Sequence, residues 1–280
     1  MIQYKIVADS SADLLALDGV PFSSVPLSLN TSEKQFVDDK NLDVAQMLAH
    51  LASYKGKSGS SCPNPEDWLA AFEDAENVFC VPITKNLSGS HNAALLAAKQ
   101  YTESHPDRRV YVVDTLSTGA EDRLIVEKLR ALIQAGMTFD DMVAEIKRYQ
   151  RRTHLIFALE SMRNLSNNGR VSPIVAKLAG VLGIRIIGKA SDEGTLEITN
   201  KSRGEKRALA DIFDNMLNNG YNGDKVYIHH CENPESATAL RDLILAKFPA
   251  ASVLLGVTRG LCSFYAERGG LMIGYESREC

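Results

Sequence analysis

The stretch TKNLSGSHN, residues 84–92, follows an apolar run, VFCVPI, and lays out Thr84, Ser88, Gly89 and Ser90 where a buried strand ends. Hydroxyls recur at other strand exits: Ser10 and Ser11, Ser60 and Ser61, Thr115 and Ser117. Hydroxyls and loop amides donate to carboxylates and phosphates, above all beside a helix N-terminus whose backbone donors lack partners. Any one of them is as well explained by helix capping or turn ordering. The set says more than its members. Gly89 suits a tight turn or a close backbone approach, but the chain has no GxxxxGKS/T or GxGxxG loop, which weighs against nucleotide binding in either common way. No HExxH, GxSxG or paired-acid pattern occurs, and Ser88 has no base visible beside it in sequence. His229 and His230 are adjacent, so on a strand they face opposite ways and do not chelate one ion. Asp9 and Asp114 end apolar strands, where loop capping is as ready an explanation as cation binding. A cluster of uncommitted donors points to binding more than to bond breaking, with no metal.

Donors placed this way need a sheet whose strands exit on one side. YKIVAD (4–9), NVFCVPI (77–83) and RVYVVD (109–114) are apolar runs separated by helical stretches, among them 43–54, a short one after Pro65, and one from about Ser90 to Glu103. Alternation at this spacing predicts a mainly parallel α/β sheet covered by helices on both faces, with its loops gathered at the carboxyl edge. VPFSSVPLSL (20–29) holds two prolines and reads as an edge or irregular strand, and KGKSGSSCPNPEDW reads as loop. After Arg152 the rhythm changes: THLIFALE is a strand, IRIIGKASDEGTLEITN looks like two strands about a turn, and three more strands alternate with helices. Two domains are expected, 1–152 and 153–280, the second an α/β layer with some antiparallel pairing.

The 280 residues are 45% hydrophobic and 24% charged, as in ordinary globular proteins. A net charge of −4 gives no global reason to expect nucleic acid. The opening MIQYKIVADSSADLL has no leader pattern and no stretch reaches bilayer-spanning length, so a cytoplasmic protein without stable membrane insertion is expected. Five dispersed cysteines argue against a disulfide scaffold or a CxxC metal site. Residues 164–184 join a polar turn to an apolar helix. Asn168 and Gly169 favour a turn that projects Arg170, and Ile174, Leu178, Val181 and Leu182, beside small residues, form a face able to line an apolar tunnel or to pack in an ordinary core.

Several separated pieces, in order, carry a family resemblance: IVADSSADL (6–14), SSCPNPEDW (60–68), ITKNLSGSHNAA (83–94), VDTLSTG (113–119), NLSNNGRVS (164–172) and LGVTRGLCSFY (255–265). Together they resemble the DegV family of fatty-acid-binding proteins, which includes the binding subunits of bacterial fatty acid kinase. The resemblance spans nearly the whole chain. It departs from the family pattern at Thr258, where a histidine is usual, at Leu261 and Cys262, which replace proline and glycine, and in the SSCP loop, commonly TSQP.

The resemblance implies a two-domain DegV-like fold with a long-chain fatty acid in a tunnel and no other cofactor. It assigns the carboxylate to Ser61 and Ser88. Ser60, Arg170, Thr258 and Arg259 become candidates for contact with the head group, an incoming phosphate or a partner, and Gly89 and Gly169 shape the loops. It further implies a separate ATP-binding kinase subunit as partner, this chain being non-catalytic by itself. A stand-alone lipid carrier or sensor is the alternative, and a hydrolase using Ser88 a more distant one.

Overall fold

Residues 2–176 and 183–278 are described by the computed structural model. Ile2–Asp9 forms strand β1, with Ile6, Val7 and Ala8 wholly buried because helices cover both faces of the sheet, and with a neighbouring strand on each edge. Those neighbours are β2 (Phe22–Val25) and, after β3 (Ser28–Asn30), β4 (Gln35–Val37) and β5 (Gly59–Ser61), strand β6 (Ala75–Val81). With β7 (Arg109–Val112) they make a parallel sheet in the order β2-β1-β6-β7. The expected strand at 20–29 is two strands. Pro26 separates them, so β2 takes the edge of the parallel sheet while β3 becomes the centre of a small antiparallel sheet, β4-β3-β5. Strand β5 lies inside the segment read as loop; its partner is 30 residues away and its sequence, GSS, carries no strand signal.

Local signals set the helices of this half. Asp43 caps Val44–Ser53 by accepting from the Gln46 amide at 2.9 Å. Asn64 and Asp67 form a reciprocal capping box at the start of Pro65–Phe72, with proline at the first position.

From residue 153 onward the strands are β8 (Thr153–Leu159), β9 (Ile184–Ala190), β10 (Leu196–Arg203), β11 (Val226–His230), β12 (Val253–Val257) and β13 (Leu271–Glu276). They form a six-stranded sheet, β10-β9-β8-β13-β11-β12, antiparallel at every pairing except β11 with β12. The helix Ala120–Gln134 touches both large sheets, lying against β1 and β6 of one and β8, β11 and β13 of the other. That double packing buries Leu124, Ile125, Val126 and Leu129 completely. It also brings the exits of the parallel strands against one face of the antiparallel sheet. Among the described residues no helix is long and apolar enough to cross a membrane.

Candidate ligand-binding site

Parallel strands put their carboxyl ends on one edge, and Asp9 ties two of those ends together. Its side chain is fully buried. One oxygen accepts from the Ser11 amide (3.1 Å) and hydroxyl (2.5 Å), the other from the Ile83 amide (3.0 Å) and the Ser90 hydroxyl (2.6 Å). The Ser11 hydroxyl also lies 2.9 Å from Asp122 on the helix Ala120–Gln134. One hydroxyl proton cannot serve two carboxylates, so a carboxyl proton makes one of these bonds. Asp122 supplies it: burial, followed by the nearby Asp9 charge, pushes its carboxyl well above the usual range. Ser10 accepts from the Leu27 amide at 3.1 Å, and Thr115 lies within bonding distance of the Pro82 and Ser117 carbonyls. These hydroxyls hold the loops to each other.

Ser60 and Ser88 are used differently. Both border a cavity between the exit loops and the inner face of the antiparallel sheet. Leu27, Ile83 and Leu87 line one side, and Leu155, Phe157 and Leu159, alternate residues of β8, line the other. At one end the polar groups collect. The Ser60 hydroxyl is 2.7 Å from that of Tyr265, and the Arg170 guanidinium lies 5.9 Å over the Tyr265 ring. Arg170 Nε donates to the Leu87 carbonyl at 3.1 Å, which anchors it beside Ser88, and Nη1 donates to the Asn168 carbonyl. Ser88 Oγ accepts from the Ser90 amide at 3.3 Å. The result is a narrow apolar chamber with a cation and hydroxyls at one end, suited to a molecule that is acidic at one end and oily elsewhere.

A sequence profile described as an uncharacterised protein family, DegV, matches residues 3–278. The chain belongs to the DegV family. A DegV domain-containing protein of Streptococcus pneumoniae is 43% identical over 277 residues, covering 98% of this chain and 99% of that one. Two solved DegV structures superpose with a TM-score of 0.97 each. One is the fatty acid kinase (Fak) B3 protein of S. pneumoniae loaded with linoleic acid, 43% identical and covering 99% of this chain and all of that one. The other is a DegV protein from Eubacterium eligens loaded with heptadecanoic acid, 41% identical and covering 98% of this chain and all of that one. The fold is accordingly the two-domain α/β arrangement of DegV proteins.

Within this DegV chain the expected site residues divide. Ser60, Ser88 and Arg170 come together. Ser61 does not: successive strand residues face opposite ways, so it points away from the cavity, exposed, and accepts from Asn30 Nδ2 at 3.1 Å. Gly169 has φ +73°, the left-handed conformation a turn before Arg170 requires, whereas Gly89 is right-handed (φ −71°) and a Cβ there would come 3.2 Å from Cys62 Sγ. Thr258 and Arg259 are engaged elsewhere. Thr258 is buried against the Ser263 hydroxyl at 2.7 Å. Arg259 donates its amide to Asp13 (2.6 Å) and its guanidinium to the Asp39 carbonyl, 3.7 Å from the Asp38 carboxylate. Neither is among the described residues lining the cavity. Ile174 is 77% exposed and does not line it either, while Leu178, Val181 and Leu182 lie outside the described residues.

Tyr265, Thr118 and the β8 leucines also line the cavity, and sequence reasoning did not single them out. THLIFALE is a continuous apolar run, and only the alternation of strand side chains puts Leu155, Phe157 and Leu159 on one face. Tyr265 had no such signal, because its role depends on meeting Ser60 across 205 residues.

Proposed function

We propose that the cavity holds a long-chain fatty acid with its carboxylate among Ser60, Ser88 and Arg170, and that the loaded protein presents this carboxylate to a separate ATP-dependent kinase subunit. The observation that carries the reading is the character of the lining: mostly aliphatic and aromatic side chains, with the Ser60, Ser88 and Tyr265 hydroxyls and the Arg170 guanidinium gathered together. Each methylene moved from water to such a surface contributes about 0.8 kcal/mol, so a tail of about sixteen carbons gives on the order of 10 kcal/mol before ordering costs. The tail supplies affinity. The head supplies direction, because a carboxylate loses too much hydration to enter unless donors meet it.

The chain's own residues divide that work. A Tyr265 proton given to Ser60 leaves the serine proton free to point at the carboxylate, since a hydroxyl donates once while accepting. Arg170, fixed by the Leu87 and Asn168 carbonyls, holds positive charge at the same end. The loaded pneumococcal and Eubacterium relatives support the ligand class, and the pneumococcal one also supports the kinase partner. The carboxylate assignment thus moves from Ser61 to Ser60. Hydrolysis by Ser88 finds no support: no histidine, aspartate or glutamate is among the described lining residues, so no general base faces it there.

The test is to purify the protein, extract its ligand and identify it by mass spectrometry, then add ATP and an ATP-binding fatty acid kinase subunit. A co-purifying long-chain acid and formation of its acyl phosphate are expected. Absence of any bound acid, with none taken up on addition, overturns the binding reading; uptake without acyl phosphate overturns the kinase part alone.

A further inference from the structure

Beyond the tail end of the apolar cavity lies a second chamber with a mixed lining. Asp114, Glu121, Thr153, His154, Ser191 and Asp192 border it, with Leu116 and Ala190 among its apolar walls. Glu121 is only 5% exposed. Three chain segments cross from one chamber to the other. Leu116 faces the polar side and Thr118 the apolar one; Thr153 and His154 give way to Leu155 and Phe157; Ala190 and Ser191 give way to Leu196 after the hairpin turn. That turn is pinned between them. A Cβ on Gly194 would meet Thr84 Oγ1 at 2.3 Å and Leu116 Cα at 3.0 Å, and Asn86 donates to the Glu193 carbonyl.

Leu155 alone among the described lining residues borders both chambers, and it is 1% exposed. The strand direction places it at the end away from the head group. Leu159 is followed, after Glu160, Ser161 and Met162, by the helix Arg163–Asn167, whose Leu165 carbonyl accepts from the Arg170 amide at 2.8 Å, so the Leu159 end of β8 is the polar end. Leu155 stands four residues back, about 13 Å along the strand.

We infer that Leu155 is the end stop of the acyl cavity, a specificity-determining residue that sets the longest tail the protein holds. This rests on the fatty-acid reading above and adds which part of the ligand is selected and by what. A terminal methyl that reaches Leu155 fills the apolar cavity. One carbon more must push the leucine aside toward carboxyl and hydroxyl groups, where a methylene gains nothing from burial. Affinity should rise about fourfold per methylene up to a cutoff and then stop rising.

The experiment measures competition by saturated fatty acids stepped in length from about fourteen to about twenty-two carbons, against delipidated wild type, Leu155→Ala and Leu155→Phe. Leu155→Ala vacates the volume of three carbons and should move the cutoff up by about two carbons, a gain of roughly fourfold for the acid one carbon beyond the wild-type limit and roughly sixteenfold for the acid two carbons beyond it. Leu155→Phe should move it down. Opposite shifts from the two changes are not what general loosening of the core would produce. Thermal unfolding of the lipid-free variants confirms that each is folded, and Leu155→Val, expected to shift the cutoff less than alanine, stands in should alanine fail to fold. A cutoff unchanged in the variants, with wild type binding normally, overturns the end-stop role and leaves the fatty-acid reading in place. Wild type that binds none of the acids overturns both.

Discussion

Ser88 and Ser90 stand two residues apart in one loop, and the fold treats them in opposite ways. Ser90 is fully buried and gives its proton to Asp9; Ser88 is half-buried, faces the cavity and accepts only from the Ser90 amide among the hydrogen bonds described for it. The contrast extends to whole regions. Around Asp9, Asp122, Ser10, Ser11 and Thr115, hydroxyls and carboxyls are spent on one another and on loop amides. Around Ser60, Ser88, Arg170 and Tyr265 a few polar atoms border an otherwise oily space. Residue type does not separate a cavity-facing polar group from a structural one in this chain. What separates them is whether the protein has already taken the hydrogen-bonding capacity.

The strongest way to break this comparison is at Asp9. Replacing Asp9 with alanine strands the Ile83 and Ser11 amides and the Ser90 hydroxyl in a buried place, so a loss of about 4 kcal/mol is expected, read as a lower urea midpoint. A loss under about 1 kcal/mol would show that the network around Asp9 is not what holds the strand exits together.

Glu121 gives the next largest effect and a sign. Burial pushes its carboxyl up to about 7, with the nearby Ser117 and Thr153 hydroxyls acting the other way. The folded chain therefore keeps a proton that the unfolded chain, near its ordinary value of 4.5, has released. Between those two values the folded state binds more protons, so this group's contribution to stability falls as pH rises from about 4.5 to 7 and is flat above. The whole change is about 3 kcal/mol. Glu121→Gln should remove that part of the slope; urea melts across the window read it, and an unaltered slope would mean that Glu121 ionises in the fold as it does in water.

Local chemistry wrote much of this fold legibly. Asp43, Asn64 and Pro65 mark helix starts by bonds made within three residues, and the apolar runs of β1 and β6 announce a sheet buried on both faces. Long-range pairing was not legible. Strand β5 exists because Ser28 and Asn30 lie opposite Ser61 and Gly59, and with three residues and no apolar one its pleat phase could not be read, which is why Ser61 was expected where Ser60 stands. His229 meets Asp13 at 2.9 Å across 216 residues, and Asp38 holds the amides of Gly260 and Leu261 from the far half of the chain. Arg259 looked available only because its partners Asp13 and Asp39 are invisible in a linear reading. The family resemblance pointed to several loops, of which those carrying Ser60, Ser88 and Arg170 border the cavity; the pleat and the partners decided which side chain in each loop reaches it.

The Ser88 and Ser90 pair tests this directly. Ser90→Ala removes a donor from a buried carboxyl and should cost about 2 kcal/mol of stability while leaving the length preference for bound acids unchanged. Ser88→Ala should leave the urea midpoint within about 0.5 kcal/mol and weaken acid binding about tenfold, the worth of one hydrogen bond to a charged group. The reverse pattern would mean that exposure to the cavity does not distinguish ligand contacts.

The smallest expected effect is the most discriminating between neighbours. Ser61→Ala removes an exposed hydroxyl whose described partner is Asn30, so stability and acid affinity should both stay within about 0.5 kcal/mol of wild type. Ser60→Ala takes away the hydroxyl that couples Tyr265 to the cavity and should weaken acid binding severalfold. Both measurements come from one titration series. Because the two serines differ only in which face of a three-residue strand they occupy, a larger loss at Ser61 than at Ser60 would place the head group on the other face of β5, and the division between spent and available hydroxyls would have to be redrawn from that strand outward.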